Sequence, residues 1–263
     1  MTRNCAVMLG VLCAGCVGTA GGDLFEFSAY GAGPRDAVNG SPYAFQTGRG
    51  YAVTLSRAKL HVGALYLNRS VPTSVASDTS CFLPGIYVAE VTSGLDLDVL
   101  SPDLALFPAL GAAIGDRARA GEVWLVGRDV NEQSDPTVIL DVAGIAEKDG
   151  AFLPFEASIT IGTNRVVVPS DPALPGGKPI CKQRIVTPIP VDLTPARAGQ
   201  LVLRVDPRGW FANVEFSSLE QVSTAPPLYR FHDSSDDQPS TSLYAGLRSS
   251  IGPYTLSWES ARE

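Results

Sequence analysis

The stretch from Tyr51 to Leu67, YAVTLSRAKLHVGALYL, constrains the fold more than any other part of the chain. Tyr51, Val53 and Leu55 share one face while Ala52, Thr54 and Ser56 share the other, the period-2 alternation of a half-buried strand. The phase then slips. From Ala58 onward the apolar set is Ala58, Leu60, Val62, Ala64 and Tyr66, with Arg57, Lys59, His61 and Gly63 opposite. A one-residue slip turns every later side chain to the other face, so a straight strand cannot keep both sets in one core. The pattern predicts either a bulge near Ser56–Ala58 or a bend that carries the strand between two sheets. Helical spacing fits worse, because Val53, Thr54 and Val62 are β-branched and Gly63 interrupts the run.

The rest of the chain reads the same way. Its 263 residues, 45% of them hydrophobic, suffice for a sizeable core, and frequent glycine (26) and proline (20) suit many short strands joined by turns. The expected fold is all-β, an antiparallel β-sandwich with one or two short helical turns, in a single domain over residues 24–263. The clearest hairpin joins Thr137–Ala143 to Phe152–Ile161 through Lys148-Asp149-Gly150, since Asp-Gly between strand-like runs is a strong turn signal. Pro188 and Pro190 remove ladder donors from Ile185–Leu193, which therefore belongs at a sheet edge. Leu201, Leu203 and Val205 alternate inward, and Trp210, Phe211, Val214 and Phe216 add apolar volume. Helical turns are expected at Ser101-Pro102-Asp103 and Ser242–Leu247. Trp124, Trp210 and Trp258 lie in alternating runs and are expected in the core; exposed, they would make a platform for sugars.

Residues 1–16, MTRNCAVMLGVLCAGC, place Arg3 before an apolar run from about Cys5 to Ala14, with small residues leading into Cys16. Cys13-Ala14-Gly15-Cys16 resembles the bacterial lipobox, with Cys13 where that motif usually has Leu. The resemblance implies a signal peptide over residues 1–15, lipidation of Cys16, a tether over 16–23 and a mature protein held in the membrane by its N-terminal lipid. Val17 after the cysteine is not the Asp that retains such proteins at the inner membrane, which points to the outer membrane. The alternative is cleavage after Gly18-Thr19-Ala20, releasing a secreted or periplasmic protein. Beyond the leader, Cys81 and Cys181 are an even pair in an exported chain and are expected to form one disulfide. Closing a loop of about 100 residues is worth roughly 4–5 kcal/mol in the chain-entropy model.

Chemistry is sparse. The chain has no Gly-x-Ser-x-Gly elbow, no His-Glu-x-x-His, no phosphate-binding loop and no dinucleotide fingerprint. A net charge of −7 without clustered Lys or Arg argues against nucleic acid as a partner. Only His61 and His232 could serve as bases. His61 reads as exposed or paired across strands. His232 opens HDSSDDQ, in which His232, Asp233, Asp236 and Asp237 offer ligands for Ca²⁺ or Zn²⁺, with His61 as a further candidate. Asp96 and Asp98 share one strand face. The leading expectation is a non-catalytic lipoprotein anchored at the outer membrane that binds an envelope protein or a glycan. An exported metal-binding domain comes second and a hydrolase third.

Overall fold

The computed structural model describes residues 23–71, 85–132, 134–165, 170–171, 179–234 and 236–260. The expected signal peptide, Cys16, most of the expected tether and Cys81 lie outside these residues.

The strands in chain order are β1 (Phe25–Ala32), β2 (Tyr43–Gln46), β3 (Ala52–Val62), β4 (Ala64–Asn68), β5 (Tyr87–Val91) and β6 (Leu95–Asp98). Next come β7 (Ala105–Leu106), β8 (Gly111–Ala113), β9 (Ala118–Trp124), β10 (Val138–Lys148) and β11 (Ala151–Thr160). A short helix α1 (Pro179–Gln183) precedes β12 (Ile185–Leu193), β13 (Gly199–Val205), β14 (Glu220–Thr224) and β15 (Pro227–Arg230). Helix α2 (Gln238–Leu247) and β16 (Tyr254–Ser260) follow.

Two sheets form an all-β, sandwich-like arrangement. The first runs β12-β9-β4-β5-β8-β1-β13-β16, with β7 on β1, and the second runs β14-β15-β11-β10-β3-β2, with β6 on β3. In the first, the terminal strands β12 and β16 come together, so the sheet is almost closed into a barrel. Pairing is antiparallel except for β1 with β13 and β11 with β15.

The phase slip in the Tyr51–Leu67 stretch resolves into two devices. Against β10, Ala143 pairs with Arg57 but Gly144 pairs with Leu55, leaving Ser56 as the extra residue of a bulge. That bulge lets Val53 and Leu55 on one side of it and Ala58, Leu60 and Val62 on the other all enter the core. At Gly63 the chain then changes sheets: β3 pairs with β10, β2 and β6, whereas β4 pairs with β5 and β9. Gly63 N donates to Trp124 O at 2.8 Å, and a Cβ at this position would meet Val126 O at 2.1 Å, so only glycine fits the crossing.

The crossing shifts the phase a second time. Leu65 and Leu67 become the buried pair, and Tyr66, expected in the core, is half-buried on the outer face of the first sheet. Trp124 on β9 and Trp258 on β16, also expected in the core, are only half-buried, while Trp210 is fully buried.

The β10–β11 hairpin turns through Asp149 (φ 50°) and Gly150 (φ 80°), both left-handed, as a two-residue turn of the twisted type requires. β12 ends the path of the first sheet, and its register against β9 breaks between Val186 and Ile189, around Pro188. Between the sheets, Phe155, Phe211, Phe216 and Phe231 form a ring cluster with centroids 5.0 to 6.3 Å apart. One contiguous core draws on both sheets, from Phe25 to Leu256.

Helix α2 starts at Gln238, earlier than the expected turn at Ser242, because Asp237 caps it by accepting from Ser240 N at 2.7 Å. No helical turn forms at Ser101-Pro102-Asp103. Ser101 O instead accepts from Gly33 N at 2.7 Å, so the carbonyl that would open a turn is already engaged. Cys181, in α1, is fully buried.

Candidate functional site

His61 lies on β3 directly across from Asp96 on β6, and its Nδ1 meets Asp96 Oδ1 at 2.6 Å. Its Nε2 is buried without a hydrogen-bond partner, against the turn at Gly94, where an added Cβ would come within 3.4 Å of it. A base needs its free nitrogen turned toward the proton it removes, and here that nitrogen is buried. Ser158 lines a neighbouring cavity of about 350 Å³ on the outer face of the second sheet and a wider one of about 470 Å³ that includes His61. It stands two strands away on β11 and does not hydrogen-bond the imidazole. Asp98 does not join Asp96 in a carboxylate pair, since its Oδ1 accepts from Leu100 N at 3.0 Å.

The loop from His232 to Asp237 is divided among structural tasks. Asp233 accepts from Thr160 N and Thr160 Oγ1 at 3.0 and 2.6 Å and pairs with Arg165, tying the loop to the end of β11. Asp237 caps α2. His232 Nε2 turns to Glu220 Oε2 on β14 at 2.7 Å, and its backbone N–H donates to Ser240 Oγ. Asp236 borders a surface hollow together with His232, Glu220 and Asp237.

His61 does not converge with this loop. β3 is separated from β15, which leads into His232, by three strand spacings, about 14 Å. Among the described residues no group of three or more His, Cys, Asp or Glu side chains is placed to hold a metal ion. Local spacing brought these ligands together in sequence, but each is drawn toward a different neighbour.

A different constellation forms on the outer face of the first sheet. Pairing aligns Glu122 of β9 with Tyr66 of β4, Tyr66 with Glu90 of β5, and Glu90 with Ala112 of β8, one row across four strands. The adjacent residues Leu65, Leu67 and Val123 point the other way, into the core. Tyr66 packs against Trp124 and Tyr87 with centroids 4.6 and 5.0 Å away, so three half-buried rings adjoin two acids. Glu122 is fully buried beneath them, its Oε2 accepting from Trp124 Nε1 at 3.0 Å and Tyr87 Oη at 3.4 Å.

Burial pushes the Glu122 carboxyl above the ordinary carboxylate range, against the opposing pull of Trp124, Tyr87 and Asn68. Burial raises Glu90 as well. Tyr66, desolvated and flanked by both acids, is pushed up to about 12. Thr187 Oγ1, beside this row, is buried without a hydrogen-bond partner. Thr187 reaches this row from β12, between the pairs Val186–Val123 and Ile189–Gly121.

The signal for this site was present but weak. In Glu122-Val-Trp-Leu-Val-Gly127, period 2 sets Glu122 and Trp124 on one face against Val123 and Leu125. Only the register shows that Tyr66, Tyr87 and Glu90 complete it.

No protein-family model matches the chain, and neither a curated protein nor a solved structure does.

Proposed function

We propose that this protein is a non-catalytic, lipid-anchored outer-membrane module that binds an envelope glycan on the outer face of its barrel-like sheet. The observation that carries the reading is the platform of Tyr66, Tyr87 and Trp124 beside Glu90. Sugar rings present C–H faces that lie against aromatic rings, and their adjacent hydroxyls donate to a carboxylate. The rings sit on a rigid sheet rather than a loop, so little ordering accompanies binding.

The leader supports the anchor: the lipobox-like Cys13–Cys16 would hold the domain at the membrane through Cys16. A Cys81–Cys181 disulfide belongs to the same proposal, supported by cysteine parity in an exported chain and by the burial of Cys181. The 232–237 loop does not favour a metal-binding alternative, because Asp233 and Asp237 are engaged in holding β11 and α2.

Titration with chitohexaose, a neutral oligosaccharide, followed through tryptophan fluorescence tests the platform. Saturable binding is expected, and Trp124→Ala should weaken it up to about tenfold, the equivalent of one aromatic contact. No fluorescence change at millimolar sugar, together with no retention on purified peptidoglycan sacculi, would remove glycans as the ligand.

A further inference from the structure

A second site is built where α1 and α2 meet beside the end of β11. Gln183 closes α1, Tyr244 lies within α2, Arg248 follows α2, and Arg165 stands five residues beyond Thr160. Their contacts interlock. Tyr244 Oη donates to Gln183 Oε1 at 3.1 Å and the backbone N–H of Arg165 donates to the same oxygen at 3.0 Å. The guanidinium of Arg165 lies 4.3 Å from the Tyr244 ring centroid and that of Arg248 5.6 Å. Arg248 Nη2 donates to Lys182 O at 2.6 Å, which fixes it against α1.

The donors outnumber the acceptors. A backbone N–H can only donate, so its bond to Gln183 fixes which end of that amide is oxygen and leaves Nε2 as a donor. Gln183 Nε2, Arg165 Nη1 and Arg248 Nε are all buried without a hydrogen-bond partner. The Arg165 side chain is only 6% exposed and Gln183 only 3%. Among the described residues Arg165 has a single carboxylate partner, Asp233, while Arg248 donates to the uncharged carbonyl of Lys182. Among the described residues two guanidinium charges therefore meet one carboxylate charge, with buried donors that are costly to leave unpaired. The excess at this junction is of buried donors and positive charge.

We propose that Arg165, Gln183 and Arg248 bind a small oxyanion, a phosphate or a carboxylate group. Guanidinium N–H groups match the oxygens of either, and the amide of Gln183 adds a neutral donor.

Thermal melts of the full chain in inorganic phosphate, in acetate and in chloride at matched ionic strength test the site. Phosphate or acetate, but not chloride, should raise Tm by about 2–4 °C, the shift that roughly 1 kcal/mol of binding gives a chain of this size. Whichever oxyanion acts identifies the class. Arg248→Gln should abolish the rise, while Arg230→Gln, which removes a surface charge on the second sheet, should keep it. Gln183→Glu is the complementary test. It retains the acceptor for Tyr244 and Arg165, replaces the unpaired donor with a negative oxygen, and should raise Tm without anion while abolishing the response to it. No rise beyond chloride, an undiminished rise in Arg248→Gln, or a Gln183→Glu variant that melts lower and still responds would each overturn the proposal.

Discussion

Leu60 and His61 are neighbours on β3 whose side chains have opposite fates, and substituting each by alanine measures that difference directly. Leu60 is 1% exposed and is flanked in its row by Leu140 of β10 and Leu97 of β6, both buried. Leu60→Ala removes three carbon groups, worth roughly 2.4 kcal/mol at ~0.8 kcal/mol each. The leucines on either side belong to hydrogen-bonded strands and cannot close the gap, so a cavity term of about 1 kcal/mol adds to this, giving roughly 3–4 kcal/mol. His61 lies on the outer face, and its hydrogen-bond partner Asp96 has a side chain that is 88% exposed, so solvent competes for that contact. His61→Ala should therefore cost no more than about 1 kcal/mol. Urea denaturation of both variants with an unchanged m-value is the assay. A loss for Leu60→Ala below about 1 kcal/mol, or a His61→Ala loss equal to it, would refute the register assigned to β3 after the Ser56 bulge.

Glu122 gives a pH signature. Its folded pKa is raised by burial, so the folded chain holds a proton that the unfolded chain releases. The contribution is fully present below the unfolded carboxylate pKa and is lost as pH rises through the raised folded value. Glu122→Gln keeps the neutral form, so its advantage in denaturation midpoint over the wild type should grow from about pH 4 to pH 8; a margin independent of pH would show that Glu122 is not buried as a neutral acid. At the N-terminus, mass spectrometry should find acylated Cys16, and non-reducing peptide mapping should find Cys81 joined to Cys181. An unmodified start at Gly21, or separate thiol peptides, would remove the anchor or the bridge respectively.

Much of the strand architecture was legible in the sequence because it follows from local rules. Alternation of Val53 and Leu55, then Ala58, Leu60 and Val62, announces both a strand and its slip, since side-chain period is a property of the extended backbone itself. Asp149-Gly150 specifies its turn through the positive φ that both residues adopt. Pro188 marks an edge because it lacks an N–H to give. These signals span a few residues and need no partner to be read.

The tertiary structure decided everything that depends on which strands meet. Gly63 carries the chain into the first sheet only because β9 is there to receive it, and that crossing sends Tyr66 outward and Leu65 inward. His232, Asp233 and Asp237 are adjacent in sequence but separate in role, because β14, β11 and α2 each draw one of them. Conversely, Tyr66, Tyr87, Glu90 and Glu122, like Arg165, Gln183, Tyr244 and Arg248, are scattered along the chain and meet only through register and packing. Spacing along a chain reports which face a side chain takes. Which other faces it meets is decided by long-range pairing, and both proposed binding sites of this protein arise there.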